Sequence, residues 1–283
     1  MQKLGAHLSI SSGYSQALKQ IKKIGGNCLQ IFSSSPRSWQ GLKLTQNQIK
    51  EFLTLKQQLK INPIFYHASY LINLADAGRV GDLSKKALIN ELTTASVLGI
   101  KGSIIHLGSF KESPSLFTFT GKQKYHILIK NINEVLTKTP DNSWFIIENS
   151  GTKKIGQSLD EIAYIIKELN HSRLKVCLDT CHLFSAGYDL RTKNNLNKFL
   201  EEFNQKIGLN KLVVWHLNDS RDPFASGRDR HENIGQGTIG QEEFRLIINH
   251  PQLKLLPFII ETPGFVGQGP DKKNLDILKG LRQ

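Results

Sequence analysis

Short β-rich runs of about five to seven residues alternate along the chain with amphipathic stretches of about ten to twenty, and the unit repeats eight times without a break. A chain patterned this way is committed to an α/β fold with a parallel sheet. The runs begin near Leu4, Cys28, Pro63, Gly102, Ser143, Leu174, Lys211 and Leu255. The stretches between and after them predict helices over Tyr14 to Ile24, Thr45 to Lys60, Ser84 to Leu98, Gly121 to Thr137, Ser158 to Leu169, Asn194 to Ile207, Gln241 to Asn249 and Asp271 to Leu281. Two starts carry the Ser/Thr-x-x-Glu/Gln capping pattern, Thr45 before Gln48 and Ser158 before Glu161. Runs such as Trp144-Phe-Ile-Ile and Pro257-Phe-Ile-Ile are apolar at every position, as parallel strands covered by helices must be. The 283 residues are long enough for two domains, but no linker, low-complexity segment or glycine-rich phosphate loop divides them. The expected architecture is a single (β/α)8 TIM barrel domain over 1–283, with its active site at the C-terminal ends of the strands.

Those ends are where the ionisable residues collect. His67 closes Pro63-Ile-Phe-Tyr, His106 closes Gly102-Ser-Ile-Ile, and Glu148 closes Trp144-Phe-Ile-Ile. Asp179 ends Val176-Cys-Leu, His216 ends Leu212-Val-Val-Trp, and Glu261 ends Leu256-Pro-Phe-Ile-Ile. His182 follows Asp179 by three residues, so both can face the barrel mouth. Asp229 and His231 lie in the longest stretch without periodicity, Asn218 to Ile239, which is expected to fold over that mouth. Alternate side chains of an extended segment point the same way, so Asp229 and His231 can act together.

Imidazole and carboxylate donors without thiolate suit Zn²⁺, Mn²⁺ or Fe²⁺. Nine donors are too many for one tetrahedral ion, and since a carboxylate can bridge, two or three metals are expected. One grouping sets His182, Asp229 and His231 on one ion and His216, Asp179 and Glu261 on another, with His67 and His106 on a third and Glu148 shared. Taken singly, a strand-end histidine is more often hydrogen-bonded structure than a ligand, and a buried carboxylate can pair with arginine. Taken together, so many ionisable groups around one rim are too costly to bury without cations to neutralise them. His126, His171 and His250 fall on or beside helices and receive no role. His7, ending the first run, divides evenly between a core histidine and a partner of a metal ligand. Cys28, Cys177 and Cys181 are too few and too irregular for a disulfide framework, and buried thiols are expected.

A formal net charge of +13 favours a polyanionic partner, foremost nucleic acid, and disfavours a small cationic substrate. No apolar run approaches the roughly 18 residues a bilayer span needs, and Met1-Gln-Lys-Leu-Gly-Ala-His lacks the apolar core of a signal peptide. A soluble, cytoplasmic protein without a membrane partner is expected.

The longer motifs are specific. Gly5-Ala-His7, His67-Ala-Ser-Tyr70-Leu71-Ile-Asn-Leu, Cys177-Leu-Asp179-Thr-Cys-His182-Leu-Phe-Ser-Ala-Gly-Tyr-Asp, His216-Leu-Asn-Asp, Asp229-Arg-His231 and Glu261-Thr-Pro span nearly the whole chain. Together they resemble endonuclease IV, the multi-zinc family of apurinic/apyrimidinic-site endonucleases (AP endonuclease family 2). The resemblance implies a (β/α)8 barrel holding three zinc ions, with Mn²⁺ or Fe²⁺ as alternatives at some sites. It implies His67, His106 and Glu148 on the first ion, and Glu148, Asp179, His216 and Glu261 on the second. His182, Asp229 and His231 fall to the third, and Glu148 becomes the catalytic bridge. It also implies that Arg37, Tyr70 and Leu71 press into duplex DNA at the damaged site, although the residues alone would place Tyr70 and Leu71 in the core. Leu107, where proline is expected after the histidine, and Ser150, in Glu148-Asn-Ser-Gly, depart from the pattern and bear on loop shape rather than on any ligand.

The implied reaction hydrolyses the phosphodiester 5′ to an abasic nucleotide in duplex DNA, leaving a 3′-hydroxyl and a 5′-deoxyribose phosphate, and extends to removal of 3′-blocking groups. Hydroxide is expected between the first two zincs, with the third helping to stabilise the leaving 3′-oxygen. A monomer is expected. The rival reading is a divalent-metal sugar isomerase or epimerase, which shares the barrel and its carboxylates but not the need for a strong positive charge.

Overall fold

The computed structural model describes residues 2–41, 43–110 and 124–283. Eight strands close a parallel barrel in the order β1-β10-β7-β6-β5-β4-β3-β2. These are β1 (Lys3–Leu8), β2 (Cys28–Phe32), β3 (Ile64–His67), β4 (Gly102–Ile105), β5 (Trp144–Glu148), β6 (Leu174–Asp179), β7 (Leu212–His216) and β10 (Pro257–Ile260). The strands β8 (Asp219–Ser220) and β9 (His231–Glu232) form a separate antiparallel pair. Around the barrel run α1 (Tyr14–Lys23), α2 (Gln46–Leu59), α3 (Arg79–Leu98), α4 (His126–Thr137), α5 (Leu159–Leu169), α7 (Lys193–Lys206), α8 (Gln241–Asn249) and α9 (Lys272–Gly280), while the short α6 (Thr180–Ser185) follows β6 directly.

The predicted repeat is the observed one, with local corrections. The last barrel strand starts at Pro257 rather than Leu255, whose side chain stands 94 % exposed. Helix α3 begins at Arg79, five residues before the predicted Ser84, because Ser84 Oγ turns back onto the Val80 carbonyl within the helix instead of capping it. The predicted start of the fourth helix at Gly121 lies outside the described residues. Thr45 and Gln48 form both arms of a capping box. Ser158 makes only one arm, accepting the Glu161 N–H, since the Glu161 carboxylate is taken by the Gly156 N–H and the Tyr125 hydroxyl.

Strand alternation sorts the barrel side chains. One parity, including Leu29, Tyr66, Ile147, Trp215 and Ile260, packs outward against Leu18, Leu92, Ile162 and Phe244 of the helices. Each such buried side chain contributes about 1.5–3 kcal/mol. The other parity fills the lumen, where Cys28, Phe65, Ile104, Ile146, Cys177, Val214 and Ile259 make a closed apolar layer of their own. Strand β1 adds no side chain there, because a Cβ on Gly5 would fall 2.0 Å from the Cys28 carbonyl oxygen. Two residues further along every strand comes the next inward layer: His7, Gln30, His67, His106, Glu148, Asp179, His216 and Glu261. The apolar layer is thus the floor on which the polar layer stands. No helix among the described residues is long and apolar enough to cross a membrane.

Candidate metal centre at the barrel mouth

All nine sequence-predicted donors converge at the C-terminal mouth. His67, His106 and Glu148 offer atoms within 4.8 Å of one another, as do Glu148, Asp179, His216 and Glu261, and as do His182, Asp229 and His231. Each group could hold a metal ion, and Glu148 belongs to two of them. Its carboxylate is fully buried and divides its oxygens: Oε2 lies 3.2 Å from both His67 Nε2 and His106 Nε2, while Oε1 lies 3.0 Å from His216 Nδ1. That division is the geometry a bridging carboxylate requires.

The third group depends on elements that strand periodicity does not show. Asp179 caps α6 by accepting the His182 N–H at 2.9 Å, and this turn brings His182 Nε2 to 3.1 Å from Asp229 Oδ1. Asp229 and His231 do point the same way, with His231 Nε2 3.4 Å from Asp229 Oδ1. Arg230 between them turns the other way, onto the buried Asp222, which also meets Arg228. The segment is tethered at its far end by Asp219, whose carboxylate accepts the N–H groups of Gly235, Gly237 and Ile239.

The hydrogen bonds of three imidazoles fit these groups to cations. His67 has Nδ1 against the Ala68 carbonyl at 2.8 Å and Nε2 against Glu148. His182 has Nδ1 against the Asn149 carbonyl at 3.0 Å and Nε2 against Asp229. His216 has Nε2 against Gln30 Oε1 at 2.7 Å and Nδ1 against Glu148. A neutral imidazole carries one N–H, so one nitrogen of each ring would present a lone pair to a carboxylate. Such a contact is repulsive unless a positive charge lies between them. Burial works against the imidazolium of His67, yet Glu148 outweighs it and lifts the group to about 9; His231, half-buried, is lifted against desolvation to about 9 chiefly by Asp179 and Asp229. His182 and His216 are raised in the same way, and the imidazoles hold the buried Glu148, the half-buried Glu261 and the more exposed Asp229 low against desolvation. His106 differs, because burial pushes it down to about 4 and its Nδ1 has no partner among the described residues. A divalent ion between the imidazoles of His67, His182, His216 and His231 and their carboxylates would relieve the same repulsion.

Several residues that the sequence reading assigned no part tie the donors in place. Asn218 donates from Nδ2 to Asp179 Oδ2 at 2.6 Å and accepts the Glu261 N–H at 2.7 Å. Asn149 accepts the Asp179 N–H at 2.7 Å through its side-chain oxygen. Gln30 touches both His216 and Glu261, and His7 Nδ1 lies 2.9 Å from Glu261 Oε1, settling His7 as a partner of the site rather than a core residue. The available signal was a polar residue two positions past a lumen residue, as in Cys28-Leu-Gln30. The cysteines are buried as expected, and burial raises their thiols, so Cys177 and Cys181 remain neutral beside the donors. The departing residues disturb little: Leu107 is fully buried and its carbonyl accepts the Leu74 N–H, and the Ser150 N–H donates to the Gly156 carbonyl.

Above the donors opens a cavity of about 450 Å³ whose wall includes Phe32, Tyr70, Thr262, Gly269 and Pro270. Tyr70 is 66 % exposed and rests edge-on against Phe32, Leu71 is half-buried, and Arg37 is exposed. The Ser69 hydroxyl donates to the Pro36 carbonyl at 2.6 Å, clasping the loop that carries Arg37 to the loop that carries Tyr70 and Leu71. Neither of the last two belongs to the core that periodicity alone suggested.

Residues 18–282 match the family described as xylose isomerase-like TIM barrel. A probable endonuclease 4 of Halothermothrix orenii is 36 % identical over 284 residues, covering 98 % of this chain and 99 % of the relative. The crystal structure of endonuclease IV from Thermus thermophilus superposes with a TM-score of 0.84 at 29 % identity, covering 99 % of this chain and 98 % of the other. A D-tagatose 3-epimerase-like protein shares the fold alone, with a TM-score of 0.74 at 19 % identity over 99 % of this chain and 96 % of the other.

Proposed function

We propose that this chain, which belongs to the endonuclease IV family within the xylose isomerase-like TIM barrels, hydrolyses the phosphodiester 5′ to an abasic site in duplex DNA. Water is consumed, the bond from phosphorus to the 3′-oxygen breaks, and the products are a 3′-hydroxyl and a 5′-deoxyribose phosphate. The observation that carries the reading is Glu148, whose two oxygens face two separate donor groups and which lies fully buried behind His67 and His106, both of which line an open cavity. The residues fit three zinc ions: His67, His106 and Glu148 would hold one, Glu148, Asp179, His216 and Glu261 a second, and His182, Asp229 and His231 a third. Bound zinc supplies Lewis-acid polarisation of the phosphodiester and makes water acidic enough to react near neutral pH.

The chain's own residues do the rest. Glu148 spans the two inner groups and sets their separation. Arg37, Tyr70 and Leu71, on the rim, press into the duplex where a base is missing, which favours a damaged duplex because unstacking costs least there. The net charge of +13 draws the polyanion to the mouth. The same geometry serves removal of 3′-blocking groups, and we take the protein to act as a monomer in the cytoplasm. The sugar isomerase reading has the fold in its favour but no place for the His182, Asp229 and His231 group or for the rim residues.

The test is a duplex oligonucleotide carrying a tetrahydrofuran abasic analogue. Metal-replete protein is expected to nick it once, on the 5′ side, chelation to stop the reaction and zinc to restore it. Failure of the metal-replete protein to nick would falsify the proposal.

A further inference from the structure

We infer that Gln30 is a positioning residue that sets the tautomer of His216 and the binding mode of Glu261 by holding one with each end of a single side-chain amide. The inference rests on the three-ion reading above. Gln30 is fully buried in the polar lumen layer, on β2, a strand that contributes none of the nine donors. Its Oε1 lies 2.7 Å from His216 Nε2 and its Nε2 lies 2.5 Å from Glu261 Oε1. An ionised carboxylate only accepts hydrogen bonds, so the amide NH₂ must face Glu261 and the amide oxygen must face His216.

Two consequences follow for the second ion. The amide oxygen requires a proton on His216 Nε2, which leaves Nδ1 as the nitrogen available to a cation. That atom already lies 3.0 Å from Glu148 Oε1, 3.4 Å from Glu261 Oε2 and 3.7 Å from Asp179 Oδ2. On the other side, Glu261 Oε1 is occupied by Gln30 and by His7 Nδ1 at 2.9 Å, so Glu261 offers the ion its Oε2 alone. His67 and His182 have the same job done by backbone carbonyls, those of Ala68 and Asn149. At His216 it falls to a side chain, which can be changed without altering the backbone. The other contact of the amide, from Nε2 to His7 Nδ1 at 3.0 Å, is to a residue that itself meets Glu261, so both ends of Gln30 serve donors of one ion and none of another, and its loss should be felt at that ion only.

The experiment compares wild type with Gln30→Met, which keeps the length without the amide, and with Gln30→Leu. Each protein is stripped with chelator and titrated with Zn²⁺, and ions per chain and stepwise affinities are measured. Three ions are expected in the wild type. In both variants one ion should bind about 10- to 100-fold more weakly, the usual effect of removing a partner of a metal ligand, with the other two unchanged. Wild-type affinity at every site in either variant, or equal weakening at all three as a general structural defect would give, overturns the inference. A wild type that binds fewer than three ions overturns the three-ion reading itself and takes the inference with it. Should Gln30→Leu not fold, Gln30→Met carries the same outcomes.

Discussion

Ile146 and Glu148 are neighbours on one face of β5, both fully buried and both directed into the barrel lumen. One belongs to a layer of apolar side chains that forms a cluster separate from the main core, and the other to a layer of imidazoles, carboxylates and one amide. The same backbone delivers both, since alternate residues of a strand share a face. The lower layer resembles any protein interior, with its return taken in burial. The upper layer sets carboxylates close together, with the imidazoles of His67 and His216 raised by those carboxylates and those of His7 and His106 lowered by burial, an arrangement that serves no interior but suits a cation. The barrel therefore separates stability from chemistry by a single step of two residues, and each layer should respond to substitution in its own currency.

Glu148→Gln is the largest expected effect. It keeps shape and removes the charge shared by two donor groups, so cleavage of the tetrahydrofuran duplex should fall to background while circular dichroism still reports a folded barrel. Near-normal turnover would mean that the upper layer is not the site. Ile146→Val, on the same strand, should do the reverse. Loss of one buried methyl group costs about 0.5–1.5 kcal/mol, seen as a lower melting temperature. Turnover of the metal-replete protein well below that temperature should stay close to wild type. A large loss of activity without loss of stability would erase the distinction between the layers.

The sequence discloses the upper layer unevenly, for physical reasons. His67, His106, Glu148, Asp179, His216 and Glu261 were legible because an ionisable residue is conspicuous where an apolar run ends, and six repeats of one placement reveal the barrel's rim. Asp229 and His231 were legible as a pair because the extended-chain period places them together. Gln30 and Asn218 were not, since an uncharged amide within a strand or just past one is unremarkable until its partners are known, and those partners lie 186 and 43 residues away. The turn of α6 was hidden as well, because six residues carry too little periodicity and its cap, Asp179, is also a donor. The β8 and β9 pairing inside the Asn218 to Ile239 stretch is two residues long on each side, below any pattern a sequence can show. The proposed part of Tyr70 and Leu71 in meeting DNA came only from family resemblance, because apolar side chains at a rim look like core until their exposure is known.

The central claim is that the upper layer is built for three ions and not merely for charge, and the most direct measurement is the metal content of the wild-type protein, purified without added chelator and analysed by elemental mass spectrometry against protein concentration. The account predicts three divalent ions per chain, zinc foremost. A value of one, as a sugar isomerase centre built on Glu148, Asp179, His216 and Glu261 alone would give, would contradict it.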